Sequence, residues 1–289
     1  MSQSRLENEP KESSRLTIGR RPIIAALLLG LFPKPPELVA ASISKKIVAI
    51  GNAPFQDPQY SPIYEEIVRL ANTDDPRILS IPTAGGDNPG SRKYFRNFFR
   101  DRFGFITDEL LVASQTPSDQ EISEKILTAD IIYVGGGRTL MMMNRWRELG
   151  IDQLLKTAYE KGTVLSGTSA GANCWFEYGY SDSMKYINPS HWSYILVKGL
   201  GLINGIYCPH FDDEDRARSF MEMIGRSNNI VGFAQANTAL MVKDRQYKVI
   251  SPDPADAAFK LCKKEGKVVK DRIEQSEDFA PLASLYQAA

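Results

Sequence analysis

From Lys46 onward, short apolar runs alternate with longer stretches whose apolar residues recur at helical spacing. The runs 46–51, 77–82, 109–113, 131–134 and 163–166 are rich in β-branched and aliphatic residues and read as strands. Between them, 61–71, 92–103, 119–127 and 140–161 carry the 3.6-residue period and read as helices. Strands that alternate with helices need crossover connections. The pattern therefore predicts a single three-layer α/β domain, a parallel-rich sheet flanked by helices on both faces. Ligands of such sheets sit at the carboxyl ends of the strands, so chemistry is expected just after each run. Beyond a short helix over 170–176 the pattern loosens into a loop-rich stretch. It then resumes with an apolar stretch at 199–207, a helix over 213–224, and strands at 230–234, 238–242 and 247–250. A hairpin of 258–262 and 267–271, turning at Glu265-Gly266, closes the domain.

Residues 1–45 do not share this rhythm. A polar start leads through Arg20-Arg21 into the largely apolar run 23–32, then into Pro33-Lys34-Pro35-Pro36. That run is too short to span a bilayer as a helix. Its basic lead and the small residues after it match a signal peptide; a disordered extension and an over-called start are the alternatives. The expected organisation is thus an extension at 1–45 and a catalytic domain at 46–289.

Composition narrows the field. A chain of 289 residues suits one large domain plus a tail. Thirty-five basic residues balance 35 acidic ones, so no overall field favours nucleic acid or an anionic membrane, and a small substrate fits better. Cys174, Cys208 and Cys262 form no CxxC pair, which argues against a zinc site or a disulfide framework. Only His191 and His210 are available to any mechanism that needs an imidazole.

The run 163–166 leads directly into Gly167-Thr168-Ser169-Ala170-Gly171 and then into a helix-compatible segment. This is the strand, tight turn and helix that a GxSxG nucleophile elbow requires, with Ser169 at its tip. The following helix would aim free N–H groups at a developing oxyanion. A serine hydroxyl needs a base. His210, in Cys208-Pro209-His210-Phe211, follows an apolar stretch where a strand ends, whereas His191 lies among turn-forming residues, so His210 is the candidate base. Gly135-Gly136-Gly137-Arg138-Thr139 also joins a strand to a helix, and Gly136 or Gly137 could donate to an oxyanion. No GxxxxGK[ST] is present, which disfavours a phosphate loop. Arg138 could hold a substrate carboxylate or simply face solvent. The Met141-Met142-Met143 segment with Trp146 reads as core, Cys174 as a buried helix residue, and the acids 212–215 as helix-dipole partners.

Taken in order, 131–139, 167–173, Tyr180-Ser181-Asp182-Ser183 and 208–211 resemble the peptidase E family of aspartyl dipeptidases, relatives of the cyanophycinases. The resemblance covers roughly residues 46–273. It implies a class I glutamine amidotransferase-like fold, hydrolysis of Asp-X dipeptides, neither metal nor cofactor, and cytoplasmic residence, with export the alternative if 1–45 acts as a signal. By the same resemblance Ser169 is the nucleophile, His210 the base, and Gly136, Gly137 and Ala170 the oxyanion hole; Arg138 and Asn173 are the candidate substrate contacts. The orienting residue is left between Asp182 and Gln235, since Gln235 stands where the family usually has an acid. A glutamine can orient an imidazole but does not stabilise imidazolium as a carboxylate does. A second departure is Gly51-Asn52-Ala53-Pro54-Phe55, where the family tends to carry a glycine cluster. The expected partner is a small peptide, not nucleic acid or membrane; a homo-oligomer is left open. A cyanophycinase-like β-aspartyl peptidase, an esterase and a non-catalytic relative are the rival functions.

Overall fold

The alternation predicted for 46–168 forms a parallel β/α array in the computed structural model, which describes residues 43–287 apart from 56 and 229. Of the extension read at 1–45, residues 1–42 lie outside the described residues. The array runs β1 (Lys46–Ile50), α1 (Ser61–Ala71), β2 (Ile78–Ile81), α2 (Pro89–Phe103), β3 (Thr107–Glu109), α3 (Asp119–Thr128), β4 (Ile131–Val134), α4 (Thr139–Glu148), α5 (Ile151–Glu160) and β5 (Val164–Thr168). Its strands pair in parallel in the spatial order β1-β5-β4-β2-β3.

Both faces of this sheet's inner part are covered, which is why β1, β2 and β4 read as largely apolar runs rather than alternating ones. Ile47 and Ala49 of β1 pack with Trp146 and Leu155, while Val48 and Ile50 pack with Tyr64, Ile67 and Phe99 on the other side. The α1 helix contributes Ile63, Tyr64, Ile67 and Leu70, one stripe at helical spacing, and ends on Asn72 in the left-handed conformation (φ 55°).

Two local expectations change. The helix predicted over 140–161 is two helices, because the chain turns at Gly150 (φ 68°). The strand predicted at 109–113 lies earlier, at Thr107–Glu109. Leu110 and Val112 are buried as expected. However, the Asp87 carboxylate accepts from Ala113 N and Ser114 N, each at 2.8 Å, and draws the segment out of the sheet.

After β5 come a one-turn helix, α6 (Ala170–Asn173), then β6 (Phe176–Ser181), β7 (Ile195–Lys198), β8 (Ile203–Cys208), α7 (Glu214–Arg226), β9 (Gly232–Gln235), β10 (Ala239–Lys243) and β11 (Gln246–Ile250). The predicted hairpin follows as β12 (Ala258–Lys264) and β13 (Lys267–Ile273), and β14 (Ala280–Pro281) ends the series. The single sheet of the sequence reading is here divided. Among the described residues, β10, β11 and β14 extend the first sheet to eight strands, and β13-β12-β9-β8-β6-β7 form a second of six. Aromatic contacts seat the second sheet's strands on one another: Phe176 stacks on Tyr207 at 4.6 Å and tilts against Phe233 at 5.7 Å. The chain over 42–289 is thus a single α/β domain with mixed sheets flanked by helices. Among the described residues no helix is long and apolar enough to cross a membrane.

Candidate active site

Ser169 sits between the end of β5 and the start of α6 with φ 55° and ψ −112°, a backbone conformation that an L residue adopts only under constraint. Three hydrogen bonds supply it. Ser169 N donates to Ile50 O (3.0 Å), while its carbonyl accepts from Ala172 N (3.0 Å) and Asn173 N (2.9 Å). His210 follows β8 and is likewise held at positive φ (54°), with Asp213 N donating to its carbonyl and Phe211 N donating to Gln235 O, both at 3.1 Å. The nucleophile candidate therefore hangs from the first sheet and the base candidate from the second. Their ends meet with His210 Nε2 2.8 Å from Ser169 Oγ.

The glycine turn after β4 faces this pair. Gly137 has φ 138°, and a Cβ there would lie 2.2 Å from Ala84 O; Arg138 N donates to that same carbonyl at 2.8 Å. A Cβ on Gly136 would stand 3.2 Å from Ser169 Cβ and 3.8 Å from Ser169 Oγ. Only glycine allows so close an approach. The amides of Gly136 and Gly137 make no hydrogen bond among the described residues, and Ala170 N opens a helix whose first N–H groups have no intrahelical partner. A cleft of about 340 Å³ opens over the pair, walled by Asn52, Phe55, Tyr133, Asp182 and Tyr186.

Burial, and next the Arg216 guanidinium, lower the His210 pKa from its ordinary value, with Asp212, Asp182 and Asp213 pulling the other way. The net direction keeps the imidazole neutral and able to accept a proton at neutral pH.

The remaining candidates fall in different places. Asp182, at the end of β6, lines the cleft, but its Oδ2 accepts from Arg216 Nη2 at 2.9 Å, and the nearly buried Arg216 lies 4.9 Å over the Tyr194 ring. Among the described residues His210 Nδ1 makes no hydrogen bond. The expectation that the Gln235 side chain orients His210 is corrected: it is 1% exposed and packed between the sheets. Its amide oxygen faces Leu240 N (3.1 Å) and Thr238 Oγ1 (2.9 Å), and its nitrogen donates to Ala49 O (3.2 Å) and Tyr207 Oη (2.8 Å), the orientation that satisfies all four groups. Gln235 reaches the histidine loop only through its backbone carbonyl.

Asn173 is also corrected as a substrate contact. It is 2% exposed, and its Nδ2 donates to Thr139 Oγ1 at 3.2 Å beneath the elbow. Arg138 does reach an open space. It makes no ion pair among the described residues, lies 5.9 Å from the Tyr186 ring, and borders a cavity of about 510 Å³ that shares Tyr186 with the cleft. His191 is exposed in a turn. The sequence reading missed Tyr133, Tyr186 and Arg216. Of these, only Tyr133 carried a signal, as the one polar-tipped residue in the buried run Ile131–Val134. Among the described residues no three His, Cys, Asp or Glu side chains converge as a metal site.

Comparisons with known proteins point to a family of peptidases. Residues 47–250 match the family model of peptidase family S51. The chain is 29% identical to the uncharacterized peptidase YgaJ of Bacillus subtilis (strain 168), over 78% of this chain and 96% of that protein. It is 30% identical to the uncharacterized peptidase PM1590 of Pasteurella multocida (strain Pm70), over 54% of this chain and 76% of that one. Two solved structures share the fold. A peptidase from an acI-B1 Actinobacterium superposes with a TM-score of 0.62 at 16% identity, covering 83% of this chain and 98% of that chain. A Listeria monocytogenes EGD-e protein assigned to peptidase E gives 0.54 at 18%, covering 72% and 98%. Both share the α/β architecture of this chain.

Proposed function

The chain belongs to peptidase family S51, and on that premise we infer that it cleaves short peptides as a serine peptidase, with Ser169 as nucleophile and His210 as base. The observation that carries this reading is the 2.8 Å contact between His210 Nε2 and Ser169 Oγ at a constrained elbow. Ser169 Oγ attacks the scissile carbonyl carbon as His210 Nε2 takes the hydroxyl proton. The oxyanion accepts from the amides of Gly136, Gly137 and Ala170. His210 then returns the proton to the leaving amine, and water repeats the sequence on the acyl-enzyme. The lowered pKa of His210 supports its role as a neutral base. The carboxylates of Asp212, Asp182 and Asp213 stabilise the imidazolium through space.

Leaving-group protonation places the departing residue on the His210 side of the nucleophile. Arg138, which makes no ion pair among the described residues and borders the cavity that shares Tyr186 with the cleft, suits the free carboxylate that ends a short peptide. The resemblance makes the acyl residue an aspartate, so the first assay is hydrolysis of Asp-Leu, Leu-Leu and β-Asp-Leu by the full chain and by Ser169→Ala. The reading expects cleavage of at least one dipeptide, lost in Ser169→Ala. Cleavage retained by Ser169→Ala would overturn it.

A further inference from the structure

Beside the catalytic cleft lies a second, smaller cavity of about 160 Å³, and the two share Phe55, Tyr133, Gly136 and Thr168 as walls. Gly136 is the residue whose Cβ would stand 3.8 Å from Ser169 Oγ, so the small cavity adjoins the reacting centre. His210 is absent from its lining. If His210 protonates the leaving amine, the leaving residue occupies the histidine flank, and the side chain of the acyl residue turns the other way. That direction leads into this cavity.

The chemistry of its walls does not suit a carboxylate. The charged group at its border, Arg92, is already committed: Nε and Nη2 reach Glu109 Oε2 at 3.1 and 2.6 Å, and the other Glu109 oxygen holds Arg96 at 2.8 Å. An acidic side chain would lose its hydration and find no free cation, which is unfavourable. Asn88 Oδ1 is engaged as well, capping α2 through Ser91 N at 3.1 Å. By contrast, three rings frame the space. Phe55 meets Phe95 at 6.0 Å and 85° and Tyr133 at 6.4 Å and 79°, and Phe95 meets Tyr133 at 4.9 Å. Such edge and face arrangements favour a further ring. The volume is adequate too, since an apolar cavity of about 150 Å³ is known to admit benzene.

Phe55 belongs to Gly51-Asn52-Ala53-Pro54-Phe55, the segment in which this chain departs from the peptidase E pattern.

We propose that this cavity receives the side chain of the acyl residue and selects a neutral aromatic one, phenylalanine, over aspartate. The proposal rests on the acyl-enzyme reading and revises the substrate that the resemblance implies.

The test compares kcat/KM for Phe-Leu and Asp-Leu with the full chain and its Ser169→Ala control. Pocket chemistry of this kind discriminates by about 10-fold or more, so Phe-Leu should exceed Asp-Leu by at least that factor. Ser169-dependent cleavage that favours Asp-Leu would overturn the proposal and leave the peptidase reading standing. If no dipeptide is cleaved in a Ser169-dependent way, the peptidase reading fails, and binding then judges the cavity without turnover. Titration of Ser169→Ala with the amides of phenylalanine and aspartic acid should show tighter binding of the aromatic amide. Equal or tighter binding of the acidic amide would overturn the assignment.

Discussion

Replacing Gln235 by leucine should make the protein melt earlier without slowing catalysis. The Gln235 amide, on β9 of the second sheet, bonds the backbone of β1 and β10 in the first through Ala49 O and Leu240 N, and adds Tyr207 and Thr238. Leucine keeps most of the volume but strands those four groups in a site only 1% exposed. Each lost neutral bond is worth about 1 kcal/mol net, and the leucine's burial returns part of it, which leaves a destabilisation of roughly 3 kcal/mol. In a domain of this size that corresponds to a fall in Tm of roughly 6–12 °C. The assay pairs a thermal melt followed by circular dichroism with kcat/KM measured well below the transition. The folded fraction should retain kcat/KM within about 3-fold, because no part of the side chain reaches His210. If Gln235 instead oriented the imidazole, its loss would lower kcat by up to about 10⁴-fold. A loss of that order with an unchanged Tm would refute the structural role.

Two further perturbations separate the parts of the site, and a third tests the fold. Gly136→Ala places a methyl 3.2 Å from Ser169 Cβ, inside the space for the oxyanion, and should lower kcat by about 10²-fold with an unaltered circular dichroism spectrum. Arg216→Met removes a positive charge that lowers the His210 pKa and frees Asp182, which raises it. A base works above its pKa, so the acid limb of the kcat/KM profile should move to higher pH; a shift to lower pH would contradict the assignment. Glu66 on α1 hydrogen-bonds Arg69 and pairs with Lys248 Nζ at 2.9 Å, which holds its carboxyl down to about 2. A lowered carboxyl pKa stabilises the fold above the usual 4.5, and the benefit fades as pH falls towards 2. Glu66→Gln should therefore cost on the order of 2 kcal/mol at pH 7, read by urea unfolding, and progressively less below pH 4.

The sequence made some parts of this protein plain for identifiable reasons. Strands β1, β2, β4 and β5 are buried on both faces, so each appears as a short run of largely apolar and small residues, with no polar alternation, and chemistry at its carboxyl end. Ser169 and His210 stood out because a GxSxG turn and one of two histidines each followed such a run. The second sheet was harder to see. In β6, Phe176–Ser181, exposed and buried positions mix around Gly179, and neither period emerges. Gln235 was misread because its partners Ala49 and Tyr207 lie far from it along the chain, and no local pattern marks such a contact. The pairing of Asp182 with Arg216 and the walls of the small cavity are equally non-local. Asn173 lies within the nucleophile motif, yet one turn of α6 carries its side chain underneath the elbow to Thr139.

The central claim, that Ser169 is a nucleophile activated by His210, is tested most directly by the intact mass and peptide map of the protein after treatment with a serine-directed fluorophosphonate. The account predicts a single adduct on Ser169, absent from Ser169→Ala and formed at least about 100-fold more slowly by His210→Ala. An adduct on another residue, or labelling of Ser169 at an undiminished rate in His210→Ala, would contradict it.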